Sequence, residues 1–307
     1  MQTKFPLITV LGPTAAGKTT FAANLAYEID AEIISADSRQ VYRGMDIGTG
    51  KDLGDYTVNG SAIPYHLIDI ADAGSEYSVF QFQRDFEAAR SQIISKGKTP
   101  LMCGGTGMYL EAVLKGYQFI EAPVDEYFRK RISLLPDAEL IRMLKKMKSL
   151  HNTTDIIDRE RLIRAIEIED FRLRNKNSSP VKGLLNTPVI GIRFDRILQR
   201  QKITARLTQR LNEGMIDEVR NLLKKGISEE RLKLYGLEYK FIAMYLSGEL
   251  KYDQMFTLLN TAIHQFAKRQ MTWFRRMQKS GIRIYWLEGE DGLKSNLDKA
   301  INYLESF

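Results

Sequence analysis

The stretch that decides the fold is Leu7-Ile-Thr-Val-Leu-Gly12-Pro13-Thr14-Ala15-Ala16-Gly17-Lys18-Thr19-Thr20. A short β-branched run ends in a glycine, Gly-Lys-Thr follows, and Phe21 to Ile29 carries on with the apolar spacing of a helix. Strand, glycine loop and helix in that order are the setting in which a loop binds phosphate. The physics dictates the residue types. Glycines let backbone N–H groups converge on an anion, and the helix that follows contributes its positive N-terminal end. Gly12 to Thr19 is therefore the expected phosphate site, with Lys18 neutralising phosphate oxygens and the Thr19 hydroxyl on Mg²⁺. The bland alternative is a glycine turn before a helix, with Lys18 merely solvated.

Outward from this loop the chain alternates strands and helices. Ala31 to Ser35 reads as a second buried strand running into Ala36-Asp37-Ser38-Arg39-Gln40. Strand ends in a parallel sheet point toward the phosphate site, which brings Asp37 near it. Residues 51 to 62 read as exposed loop, Tyr65 to Ile70 as a short strand, and Tyr77 to Ser95 as a helix with Val79, Phe82, Phe86, Ala89 and Ile93 on one face. Thr99 to Gly104 is another strand, running into Gly104-Gly105-Thr106-Gly107 and a helix from Met108 to about Leu114.

From Ala122 to about Asn186 the texture changes to long charged helical stretches and a polar tract, Asn175 to Pro180. This is the expected helical insertion, residues 122–186, and Pro188 to Phe194 should rejoin the sheet. The fold class is α/β: a P-loop NTPase-like parallel sheet flanked by helices, formed by 1–121 and 187–307, with a mostly helical insertion domain. One helix is expected from Ile197 to about Lys225 and another from Tyr252 to Met277, the latter with Ile263, Phe266, Ala267, Phe274 and Met277 buried. Ile282 to Leu287 is the last strand candidate.

Composition narrows the function classes. The chain has 307 residues, 44% of them hydrophobic, and one cysteine, which excludes a disulfide framework or a paired-cysteine zinc site. No apolar run of roughly eighteen residues occurs, so no membrane span is expected, and the first ten residues lack the pattern of a secretory signal. A cytoplasmic monomer is the expectation. The net charge of +7 suggests a polyanionic partner.

A phosphate loop on an α/β sheet makes a small-molecule kinase the default. Three features pull away from it. Asp37 directly follows a strand and suits a general base or a metal ligand. The second glycine loop adds backbone donors and the Thr106 hydroxyl. Basic residues, Lys268 and Arg269 among them, concentrate in the late helices with Trp273, Phe274 and Tyr285 interleaved, as on a nucleic-acid surface.

Taken together, Gly12 to Thr19, Ser35-Ala-Asp-Ser38, Val41-Tyr-Arg-Gly-Met-Asp-Ile-Gly-Thr49, Gly104-Gly-Thr-Gly-Met-Tyr109, Arg161-Leu-Ile-Arg-Ala-Ile-Glu167 and Ala267-Lys-Arg-Gln-Met-Thr-Trp273 resemble the bacterial tRNA dimethylallyltransferases, also called isopentenyl-diphosphate:tRNA transferases. The blocks occur in order along almost the whole chain. The resemblance implies transfer of a dimethylallyl group from dimethylallyl diphosphate to N6 of the adenosine 3′ of a tRNA anticodon. The phosphate loop then holds a diphosphate leaving group. By family position Asp37 is the general base, Thr106 bonds near the target base and Arg206 stabilises the departing diphosphate. Asp37, Ser38, Arg39 and Gln40 touch the tRNA, as do Glu160, Arg161, Leu162, Ile163 and Arg164, and the insertion grips the anticodon stem-loop.

The sequence departs from the family pattern at three places. A Gly-Tyr-basic run is here Gly236-Leu237, with the tyrosine displaced to Tyr239; Gly-Thr-Ala-Lys-Pro is Gly48-Thr-Gly50-Lys-Asp52; and an Asp-Pro pair is Asp158-Arg159. None falls on Lys18, Thr19, Asp37 or Thr106. Structural readings compete with each functional one. Asp37 could cap a helix, Thr106 could be a turn residue, Arg206 could be solvated and the Lys268 to Arg276 helix could be salt-bridged. His66, His151 and His264 lack metal-ligand spacing, and Cys103 reads as core. Beyond the kinase, the rivals are an RNA-binding protein with a vestigial phosphate loop and an enzyme that prenylates free AMP.

Overall fold

A computed structural model describes residues 4–120, 122–148, 158–175 and 183–307. The chain forms two compact units, Met1–Lys115 with Gly183–Phe307, and Gly116–Lys182.

The first unit is built on a parallel sheet. β1 (Ile8–Leu11) pairs with β8 (Thr99–Gly104) on one side and β9 (Val189–Arg193) on the other. Outside them lie β2 (Ala31–Ser35), then β6 (Tyr65–His66), and at the opposite edge β10 (Tyr285–Glu288). The order is β10-β9-β1-β8-β2-β6. Two-residue pairings, β3 (Tyr42–Arg43) with β7 (Ala71–Asp72) and β4 (Thr57–Val58) with β5 (Ser61–Ala62), stand outside this sheet.

Because helices cover both faces, the central strands are apolar at nearly every position. Side chains alternate: Ile8 and Val10 pack with α1 (Lys18–Glu28) and α12 (Leu293–Ser306). Leu7 and Leu11 pack with α2 (Val79–Ser95), α3 (Gly107–Lys115) and the end of α11 (Tyr252–Lys279). The phosphate loop runs so close to the sheet that a Cβ on Gly12 would lie 2.4 Å from the Ile192 carbonyl oxygen. Gly17 opens α1 from the left-handed region, φ +70°.

A third cluster joins α7 (Arg196–Asn212), α8 (Met215–Lys224), α9 (Glu229–Leu234), α10 (Leu237–Leu246) and α11 around Leu207, Met215, Tyr239 and Leu259. The single helix expected over 197–225 is two, because Gly214 at φ +100° breaks the run. The strand expected over Tyr65 to Ile70 stops at His66, where Leu67 and Asp69 take positive φ. Residues 51 to 62 are also more than exposed loop. Lys51, Tyr56 and Val58 are buried, and the Lys51 ammonium bonds Asp46 at 2.9 Å and the Asp69 carboxylate.

The second unit packs α4 (Glu126–Ile132), α5 (Asp137–Met147) and α6 (Arg159–Arg174) around Phe128, Leu140, Leu144, Leu162 and Ile166. Buried Glu167 receives Arg129 through two 2.7 Å bonds and Arg164 at 3.0 Å, which holds its pKa below the carboxylate norm despite burial. Asp158 caps α6, and Arg159 pairs with Asp137. His151 and the polar tract beyond Asn175 lie outside the described residues.

Candidate active site

The carboxyl ends of β1, β2 and β8 converge on one pocket. The phosphate loop contributes Thr14, Lys18 and Thr19; the loop after β2 contributes Asp37, Arg39 and Gln40; the turn after β8 contributes Gly104 and Gly105. Arg206 reaches in from α7, Phe266 and Gln270 from α11, and Thr49, Gly50, Asp52 and Tyr56 close another side.

Positive charge dominates its floor. Lys18 Nζ donates to the Pro13 carbonyl at 2.8 Å, and Arg206 bonds the Thr14 hydroxyl. Burial lowers Lys18 from 10.5 to about 8, with the Arg206 guanidinium adding to the effect. Arg206 falls to about 10, chiefly through burial and then through Arg210. Burial is the larger cause of both shifts, and the neighbouring guanidinium adds to each, so two cations stand close together in a desolvated place.

Asp37 stands opposite. Its Oδ1 accepts the Arg39 backbone N–H at 3.0 Å, and the Arg39 side chain runs on to Glu238 at 2.7 Å. Burial works against the Arg39 charge, but Glu238 and Asp37 outweigh it and hold the guanidinium above its ordinary pKa. Arg39 also lies 5.7 Å from the centroid of the Phe266 ring. Phe266, expected in the core, is thus half-buried as a pocket wall. The Thr106 hydroxyl accepts the Ser38 N–H at 3.1 Å and its own N–H bonds the Ala36 carbonyl, so Thr106 clamps the Asp37 loop. Gln40 is buried, bonding Ser35 and the Gly50 carbonyl.

Gln270 is the site residue that the sequence reading passed over. Its Oε1 accepts the Thr14 N–H at 2.8 Å and its Nε2 donates to the Gly105 carbonyl at 2.8 Å, tying the two glycine loops together. Gln199 donates to the Thr14 carbonyl from α7. The signal was present: Gln270 falls in phase with Ile263, Ala267, Phe274 and Met277, a polar residue in an apolar stripe.

Two sequence-stretch comparisons bear on this pocket. A model described as IPP transferase matches residues 40–277, and one described as isopentenyl transferase matches residues 6–59. The chain belongs to the IPP transferase family. The tRNA dimethylallyltransferase 2 of Bacteroides fragilis is 52% identical over 303 residues, covering 99% of each chain. The solved tRNA Δ(2)-isopentenylpyrophosphate transferase of Staphylococcus epidermidis superposes with a TM-score of 0.70 at 29% identity, over 98% of both chains. A eukaryotic dimethylallyltransferase acting on tRNA shares the fold, with a TM-score of 0.71 at 22% identity over 92% of this chain and 73% of that one.

The remaining family positions are dispersed. Lys268 and Arg269 are exposed on α11. In the second unit Glu160 and Arg161 are exposed, whereas Leu162 and Ile163 are buried in that unit's core and do not offer side chains to a partner. Arg164 bonds Glu167 and the Ala122 carbonyl. The displaced Tyr239 is fully buried, its hydroxyl on Glu218 at 2.7 Å. Cys103 is buried and its thiol pushed up to about 12 by burial, as a core residue's would be. His66 pairs with Glu32 at 2.8 Å.

Proposed function

We propose that this chain is a tRNA dimethylallyltransferase, moving the dimethylallyl group of dimethylallyl diphosphate onto N6 of the adenosine 3′-adjacent to a tRNA anticodon. The observation that carries the reading is the pairing, in one pocket, of a cation-lined phosphate loop with the Asp37 carboxylate.

In the reaction the bond from the allylic carbon to the diphosphate oxygen breaks, and the electron pair leaves with the diphosphate. The carbon bonds to N6, and one N6 proton is lost. Loop amides, Lys18 and Arg206 stabilise the negative charge that grows on the leaving oxygens. Asp37, oriented by the Arg39 N–H and by the Thr106 clamp on Ser38, accepts the proton as the amine becomes acidic. The adenine must leave its stack to reach this depth, where Arg39 and Phe266 line the pocket and would contact the base.

The donor set also fits Mg²⁺. Thr19, the threonine of the Gly-Lys-Thr run, lines the pocket. Its hydroxyl would hold the ion together with waters and substrate phosphates. When bound, it supplies neutralising charge to the diphosphate.

Exposed Lys268 and Arg269, with Glu160, Arg161 and Arg164 in the second unit, are proposed to contact the tRNA. Among the described residues no helix is long and apolar enough to cross a membrane. Phosphoryl transfer to a small metabolite is the less favoured alternative, because the family match extends far beyond the phosphate loop. The test mixes protein, Mg²⁺ and labelled dimethylallyl diphosphate with unmodified tRNA, beside ATP and AMP controls. Label on the adenosine 3′ of the anticodon is the expected result. ATP turnover or prenylated AMP, with unlabelled tRNA, would overturn it.

A further inference from the structure

Two positions within one departure from the family pattern, Gly50 and Asp52, meet at a residue that the proposed chemistry does not use. Arg210 lies one turn beyond Arg206 on α7, with its side chain only 7% exposed. Its Nη2 stands 3.1 and 3.4 Å from the two oxygens of Asp52. It reaches them across Gly50, where φ is +74° and a Cβ would lie 2.5 Å from that same nitrogen. An alanine at position 50 would displace the guanidinium, and a proline at position 52 would remove the carboxylate that it pairs with.

Asp52 and Gly50 line the phosphate pocket, whereas Arg210 lines not that pocket but a second small cavity, which shares Arg206 with it and is bordered by Glu238. A carboxylate in that wall would repel a polyanion entering the pocket. Arg210, which pairs with Asp52 but does not line the pocket, offsets that charge without occupying it. Among the described residues, Arg210 pairs with Asp52 from the loop and borders the cavity beside Arg206 of its own helix and Glu238 of α10.

We propose that Gly50, Asp52 and Arg210 form a charge-compensated rim of the diphosphate pocket, in which Arg210 is a positioning residue that holds and neutralises Asp52 so that the anionic donor can enter. The inference rests on the reading of the pocket as a diphosphate site.

The test is calorimetric binding of inorganic diphosphate, with Mg²⁺, to the full chain and its variants, followed by steady-state kinetics with the prenyl donor. Arg210→Met, which keeps most of the packed volume, uncovers Asp52 and should weaken diphosphate binding about tenfold. Its KM for the donor should rise in step while kcat stays within about threefold. Gly50→Ala should match it by pushing the guanidinium aside. Adding Asp52→Asn to Arg210→Met should restore binding to within about twofold, a rescue that lost packing would not produce. Asp52→Asn alone, at an exposed side chain, should bind at least as tightly as the unmodified chain. Unchanged binding in Arg210→Met, or no rescue in the double variant, would overturn the proposal while leaving the diphosphate site intact. Failure of the unmodified chain to bind diphosphate would overturn the site reading and the proposal with it.

Discussion

Gln270→Leu removes the amide that joins the two glycine loops while keeping nearly the same volume. The Thr14 N–H and the Gly105 carbonyl both lose a 2.8 Å partner in a buried position. Each unsatisfied backbone group costs about 1–3 kcal/mol, so the expected loss is about 2–6 kcal/mol, the lower end applying if water enters. A unit of this size loses about 2–4 °C of Tm per kcal/mol, which puts the fall at roughly 4–24 °C by scanning calorimetry. The functional effect is separate. Thr14 carries the hydroxyl that Arg206 bonds, and Gly105 precedes Thr106, whose hydroxyl holds the Asp37 loop through Ser38. Loosening the two loops displaces the anion site from the base, and a displacement of about 1 Å costs on the order of a hundredfold. Below the new Tm, kcat/KM in the labelled-donor assay should therefore fall by about 10- to 100-fold. A Tm within about 2 °C of the unmodified chain together with an unchanged kcat/KM would refute the bridging role.

Asp37→Ala should reduce kcat by about 10²- to 10⁴-fold with tRNA affinity retained, since the carboxylate acts as the proton leaves; single-turnover and filter-binding measurements separate the two, and unchanged turnover would remove Asp37 from the chemistry. Lys268→Ala and Arg269→Ala should weaken tRNA binding and lower the salt slope by about one each; a flat response would make that part of α11 structural. Lys18, lowered to about 8 in the free protein, is cationic below that value and neutral above it. Donor affinity should thus hold up to pH 8 and then weaken by about tenfold per pH unit, and a level profile to pH 9.5 would show that the charge is not needed.

Much of this could be read along the chain. The strand, glycine loop and helix at Ile8 to Glu28 follow from local spacing, and so do β8 with its glycine turn and the apolar stripe of α11. These are local signals, in which side-chain period and backbone freedom act over a few residues. The return of Val189–Arg193 to the sheet was legible because a strand buried on both faces shows as a continuous apolar run. Local reading failed where a distant partner decides the outcome. Lys51 looked exposed and is buried because Asp69 lies beside it, Phe266 looked like core and is a pocket wall, and the run from Ile197 to Lys225 hid the break at Gly214.

The sequence by itself therefore determined the residue types of the phosphate loop, with Lys18 at the start of α1 and Asp37 just past the end of β2, since both depend on short-range geometry. Only the tertiary structure decided that Gln270 and Gln199 clamp Thr14, that Glu238 anchors Arg39, and that Arg210 passes over Gly50 to Asp52. Those contacts join residues that are 158 to 256 positions apart, and a buried polar group's partner is chosen by which surfaces the packing brings together, a choice that no local pattern encodes.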